Sequence, residues 1–177
     1  THAAGSASCA WGEGAEAVAA CTELLAGQAL RKTLRIVALR KRAEAYAETK
    51  EYGKAIADLR EIFDMRGEIV ADFWLRGVSH FWLAEYKTAE RFLAAASARA
   101  KNNPAYLLDL CRAQVMAGHP AKAIENFDRL IEQWPRNAEY LAGRGWAYYN
   151  SGDYPKAGEY YDKAIAIDGK NPDWFNE

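Results

Sequence analysis

The sequence predicts an all-α fold: a helical solenoid of about four helix-turn-helix repeats behind a divergent N-terminal hairpin. Three observations carry this. Residues of matched size recur every 34 positions, apolar residues within each 34-residue stretch follow helical spacing, and all five prolines fall where helices begin or end. Ala55, Ala89, Ala123 and Ala157 form one column, and the small residues Ala43, Gly77, Cys111 and Gly145 form another. Large apolar residues hold two more, Leu39, Phe73, Leu107, Leu141 and Leu59, Leu93, Phe127, Tyr161. Ile62, Ala96, Leu130 and Ala164 make a fifth column, and Tyr52, Tyr86 and Tyr154 a sixth in which Pro120 takes the remaining place.

Composition narrows the class. In 177 residues, half are hydrophobic and 27% are charged, a globular balance that excludes disordered and collagen-like chains. The formal net charge of −1 argues against a dedicated nucleic-acid binder, and the apolar runs are too short for a membrane span.

Residues 1–14, rich in Ala, Gly and Ser, predict an extended or mobile lead-in. Residues 16–25 place Ala17, Ala20, Cys21 and Leu24 on one face and read as the second helix of a half repeat. That helix lies four residues out of register. The extra residues lengthen the next helix at its start, over about 28–49, or roughly 30 Å at 1.5 Å per residue. Residues 1–35 are thus the divergent front, and four units follow at 36–69, 70–103, 104–137 and 138–171. In the last unit, Leu141, Gly145 and Tyr148 share one helical face, Gly152-Asp153 interrupts it, and Ala157, Tyr161 and Ala164 resume it. A small residue on the first helix and an alanine on the second let the two backbones approach closely. Pro104 and Pro172 follow an Asn, as a first-turn proline follows an N-cap. Pro120 and Pro155 open second helices, and Pro135 follows the end of one. Residues 172–177 read as the start of a fifth unit. Trp174 and Phe175 would cover the apolar end of the solenoid, the alternatives being a truncation or a self-association surface.

These columns resemble the tetratricopeptide (TPR) repeat family. The family pattern appears as Leu141, Gly145, Tyr148, Ala157, Tyr161 and Ala164, with Gly169 where Pro is usual. The preceding unit supplies Leu107, Cys111, Gln114, Ala123, Phe127, Leu130 and Pro135. The resemblance covers about 36–171, with His80 and Gln114 departing from the Tyr column. It implies a TPR-type right-handed solenoid whose first helices line a concave groove, and it locates the groove residues between the packing columns. They are Arg40 and Glu44, then Trp74, Val78 and Phe81, then Leu108, Arg112 and Val115, then Trp146 and Tyr149. Aromatic and apolar residues of this kind mark partner sites. The competing reading packs some of them between units or fills the groove with the front segment. The carboxylate-clamp subtype requires Lys and Asn on the first unit, Asn on the second, and Lys and Arg on the third. Arg40, Glu44, Trp74, Val78 and Arg112 do not make that set, so the clamp is absent.

Cys9 and Cys21 lie twelve apart around Gly12-Glu13-Gly14. A chain reversal there brings them together as a disulfide, while spacing leaves two unpaired core thiols as the alternative. Cys111, in the small column, reads as a buried thiol. The Cys9 to Thr22 stretch is similar to the front of exported bacterial TPR proteins, which implies a periplasmic or secreted location. The start at Thr1-His2-Ala3-Ala4 suits a mature chain.

The residues for catalysis are not apparent. His2, His80 and His119 are isolated, no phosphate loop or nucleophile elbow occurs, and the carboxylates read as outer-face residues. No enzyme activity, cofactor or metal is expected. Arg31, Lys32, Arg35, Arg40, Lys41 and Arg42 read as the wet face of a long helix balanced by nearby acids. The expected function is a non-catalytic protein- or peptide-binding scaffold acting as a monomer, with structural self-assembly as the alternative.

Overall fold

The computed structural model describes residues 9–27, 30–67, 69–100 and 103–169; the cap carrying Trp174 and Phe175 lies outside the described residues. Among the described residues there are nine longer α-helices and no strand: α1 (Gly14–Ala26), α2 (Lys32–Glu48), α3 (Tyr52–Arg66), α4 (Val70–Trp82), α5 (Tyr86–Arg99), α6 (Pro104–Met116), α7 (Pro120–Gln133), α8 (Ala138–Ser151) and α9 (Tyr154–Ile167). The fold is an all-α helical solenoid. The chain divides into two compact units, Thr1–Glu85 and Tyr86–Glu177.

The helices of α2/α3, α4/α5, α6/α7 and α8/α9 are joined by one local device repeated every 34 residues. Lys50, Ala84, Gly118 and Gly152 each have positive φ, at 63°, 59°, 84° and 84°. The next residue then donates its backbone N–H back to the carbonyl five positions earlier. These bonds are Glu51 to Tyr46 at 2.7 Å, Glu85 to His80 at 3.0 Å, His119 to Gln114 at 2.8 Å and Asp153 to Tyr148 at 3.0 Å. This is the Schellman closure, which satisfies carbonyls orphaned at a helix end. The second helix restarts two residues after the left-handed position, at Tyr52, Tyr86, Pro120 and Tyr154.

In the unit Thr1–Glu85, α2 packs against both α1 and α3, and α4 packs on α3. Ile36, Leu39, Ala43, Ala55, Leu59, Ile62 and Leu75 form its main core. Two buried carboxylates of this unit, Asp58 and Asp72, were not foreseen. Asp58 is 5% exposed and takes a two-point contact from Arg42, Nε to Oδ2 at 2.8 Å and Nη2 to Oδ1 at 2.7 Å. Those hydrogen bonds hold the guanidinium in its charged form and raise its pKa. Arg35 meets Glu61 at 2.5 Å and Lys41 meets Glu44 at 3.2 Å, so the basic stretch of α2 is balanced largely within its own unit.

The front departs from expectation in two ways. The lead-in is not extended throughout: residues 9–11 form a helical turn, and Cys9 is buried with Cys21 and Ala38. Cys9 and Cys21 are paired as a disulfide with Cα atoms 4.6 Å apart, and the Gly14 N–H donates to Glu48 at 2.9 Å. The long helix is also shorter than 28–49. Gly27 closes α1 by donating its N–H to the Glu23 and Leu24 carbonyls, and Arg31 is still extended at φ −57°, ψ 142°. The next helix therefore starts at Lys32.

In the unit Tyr86–Glu177, consecutive helices pack in order from α5 to α9, and α6 also meets α8. Ala89, Ala123 and Ala157 are buried, as are Phe92, Leu93, Phe127 and Leu130. A Cβ on Gly145 would lie 3.1 Å from the Ala157 carbonyl oxygen and 3.3 Å from the Tyr161 ring, which is why this position of α8 takes no side chain. Arg144 lies over the Tyr160 ring at 4.4 Å and meets Asp128 at 2.5 Å, and Tyr148 stacks on Tyr160 at 5.7 Å. His119, at the N-cap of α7, meets Glu90 at 2.7 Å.

Two predictions follow from these contacts. The left-handed turn position costs an L-residue about 1 kcal/mol. Ala84→Gly should therefore raise the urea midpoint, and Gly152→Ala should lower it by a similar amount; unchanged midpoints in both would refute the strain. For the cysteines, burial pushes the Cys111 thiol pKa up, far from thiolate at neutral pH. Iodoacetamide should then leave native non-reduced protein unmodified and add one group after denaturation without reductant. Peptide mapping that finds three alkylated thiols would break the Cys9–Cys21 pairing.

Candidate functional site

In the unit Thr1–Glu85, the predicted surface residues come from α2 and α4. Trp74, Val78 and Phe81 are spaced by four and three, so they share one face of α4 while Leu75, Gly77 and Ser79 turn inward. All three face residues are half-buried. Trp74 packs against the main core cluster, so part of its ring is structural. Phe81 meets Trp82 edge-on at 5.7 Å, and Trp82, which is exposed, lies parallel to Tyr52 at 6.3 Å. The result is an aromatic edge where α4 ends and α3 begins.

The two polar residues of α2 are engaged. Glu44 pairs with Lys41, and Arg40 donates through Nε and Nη2 to Asp72 Oδ1 at 2.9 and 2.6 Å. Arg66, from the last turn of α3, donates to Asp72 Oδ2 at 2.9 Å. Asp72 was not singled out in the sequence, although it breaks a column otherwise held by Ala38, Tyr106 and Tyr140. A carboxylate in an apolar column is the signal that could have found it.

In the unit Tyr86–Glu177, the surface residues come from α6 and α8, and the outcome is mixed. Leu108 and Val115 are buried, at 7% and 4% exposure, so they are packing residues and not an open lining. The physical reason is that α6 is buried on several sides, including Leu107, Leu110, Cys111, Ala113 and Gln114. Arg112 bridges two carboxylates, Asp109 at 3.3 Å and Glu139 at 2.7 Å. Trp146 is half-buried, whereas Tyr149 is 57% exposed and meets the exposed Tyr154 edge-on at 5.4 Å. Met116 is exposed at the end of α6.

A cleft of about 240 Å³ also opens in this unit, lined in part by Ser97, Leu107, Arg129, Leu130 and Trp134. Among the described residues no group of three His, Cys, Asp or Glu is placed to hold a metal ion. No helix among them is long and apolar enough to cross a membrane.

Comparison with known proteins gives a consistent picture. The tetratricopeptide repeat family model matches residues 108–172. A curated protein of Mus musculus described as FK506-binding protein-like is 36% identical over 63 residues, which is 36% of this chain and 18% of that protein. The chain thus matches under a fifth of the length of that relative. Among solved structures, MamA from Desulfovibrio magneticus RS-1 superposes with a TM-score of 0.81 at 19% identity, covering 97% of this chain and 95% of that one. YrrB, described as a TPR protein with an unusual peptide-binding site, gives 0.75 at 22% identity, covering 88% and 78%. Residues 108–172 thus match the tetratricopeptide repeat family, and the described chain, with most of its repeat columns buried and its turns repeating every 34 residues, shares its helical fold with a solved TPR protein.

Proposed function

We propose that the chain is a non-catalytic scaffold that binds an extended peptide or an amphipathic helix on the first-helix faces of its repeats, read as units 36–69, 70–103, 104–137 and 138–171. TPR proteins are in general scaffolds for protein or peptide partners, and the similarity in fold to a peptide-binding TPR protein supports this class. The observation that carries the reading is the placement of aromatic pairs outside the core. Tyr149 and Tyr154 are 57% and 63% exposed, and Trp82 is open beside Tyr52. Rigid rings of this kind are enriched at interface cores because they bury large area for little lost rotamer freedom. Within each unit the contact residues are Trp74, Val78 and Phe81 on α4, and Trp146 and Tyr149 on α8. The Cys9–Cys21 pairing supports an oxidising compartment, periplasmic or extracellular.

The test is Tyr149→Ala, assayed against peptides selected on the native chain from a phage-displayed random library. An exposed ring should cost less than about 1 kcal/mol of stability, and its loss should weaken the selected peptides by about tenfold if it anchors them. A melt showing a loss of about 3 kcal/mol or more would make the ring internal packing. Undiminished peptide binding would remove Tyr149 from the site.

A further inference from the structure

Asp72 is 1% exposed, yet its carboxylate is shared by two arginines. Oδ1 accepts from Arg40 Nε and Nη2, and Oδ2 accepts from Arg66 Nη2 and from the Ile69 backbone N–H at 3.1 Å. One carboxylate between two guanidiniums leaves the cluster with a formal charge of +1. Both arginine side chains reach solvent, at 26% and 24% exposure, while Asp72 anchors their inner edges. Arg40 Nη1 and Arg66 Nε and Nη1 make no hydrogen bond to another acceptor among the described residues.

We propose that Arg40 and Arg66 form a carboxylate-binding pair held toward solvent by the buried Asp72. Two like charges are kept side by side because Asp72 stabilises both, and its contacts remove rotamer freedom from the two long side chains before any ligand arrives. Each guanidinium fork matches the geometry of a carboxylate and keeps donors for it. The charge count selects the ligand. A monoanion brings the cluster to zero, whereas a phosphate dianion would reverse it to −1. Arg66 was absent from the sequence-derived groove because it closes a second helix. Only the hairpin geometry brings it to the same carboxylate as Arg40 on α2. The inference rests on the peptide-binding reading for the source of the carboxylate, an acidic side chain or a chain terminus, but not for the affinity of the pair.

The site is tested on the full chain by following the arginine Nε–Hε NMR resonances during titration with sodium acetate, ionic strength being held with sodium chloride. The Arg40 and Arg66 resonances should move saturably, and inorganic phosphate should move them less. Arg66→Gln leaves a neutral Arg40–Asp72 pair. It should keep the helical circular dichroism signal and weaken the acetate response about tenfold, the scale of one charged hydrogen bond. Arg66→Lys retains the charge without the fork and should weaken it by a smaller factor. A linear response equal in native and Arg66→Gln protein, or a stronger response to phosphate, overturns the proposal. The source is resolved with N-acetylated, C-amidated peptides Ala-Trp-Ala-Glu and Ala-Trp-Ala-Gln. Tighter binding of the Glu peptide, lost in Arg66→Gln, supports a peptide carboxylate. Equal binding of the two overturns that source and leaves the groove standing, while an acetate response without peptide binding supports the pair and removes the groove.

Discussion

Two helices of a hairpin can pack tightly only where neither contributes a side chain large enough to hold them apart, and the rest of this structure depends on that constraint. At Gly145 the limit is visible: one added carbon would meet the Ala157 carbonyl at 3.1 Å. Ala43 and Ala55 lie in one buried cluster, and Cys111, in the column of Gly145, is fully buried. Close approach brings the large columns together, so that Leu39, Leu59 and Ile62 are fully enclosed in one unit and Phe127 and Leu130 in the other. Fully enclosed residues of this size supply most of the apolar burial that opposes chain entropy.

The turns are the second requirement. A hairpin of fixed register needs the first helix to stop at a defined residue, and a left-handed residue followed by a back-donated N–H does this. Glycine serves at 118 and 152, whereas Lys50 and Ala84 adopt the same conformation with a side chain present. The repeat geometry therefore overrides local preference at those two positions, as tertiary context commonly does. Tyr46, His80, Gln114 and Tyr148 supply the carbonyl that closes each turn, which explains why so different a set of side chains is tolerated in that column: the conserved contact is made by the backbone.

The unit Thr1–Glu85 differs from a simple apolar stack in carrying Asp58 and Asp72 inside it. Each is compensated by arginine at hydrogen-bond distance, as a buried charge must be. Such pairs add little net stability relative to apolar packing, but removing one partner leaves an uncompensated charge. They constrain which helices can meet: Arg42 ties α2 to α3, and Asp72 ties α4 to both α2 and α3.

The sequence by itself determined the helical class, the 34-residue period, the packing columns and the start of the second helices, because those features depend on side-chain size and spacing within a few turns. Most residues of five columns named from periodicity are buried, with Phe73 and Tyr161 half-buried, whereas in the sixth Tyr52, Tyr86 and Pro120 are half-buried and Tyr154 is exposed. Sequence reading was less informative wherever two helices distant along the chain contribute to one place. It assigned Leu108 and Val115 to an open surface, although the helices around α6 enclose them. It took carboxylates as outer-face residues, although Asp58 and Asp72 face inward toward arginines 16 and 32 positions away. It treated Arg40 as a surface cation and passed over Arg66, because periodicity reports which face a residue occupies on its own helix and carries no information about which charge waits on the next. Only the tertiary structure decided those pairings, since burial and charge compensation are properties of the space between helices.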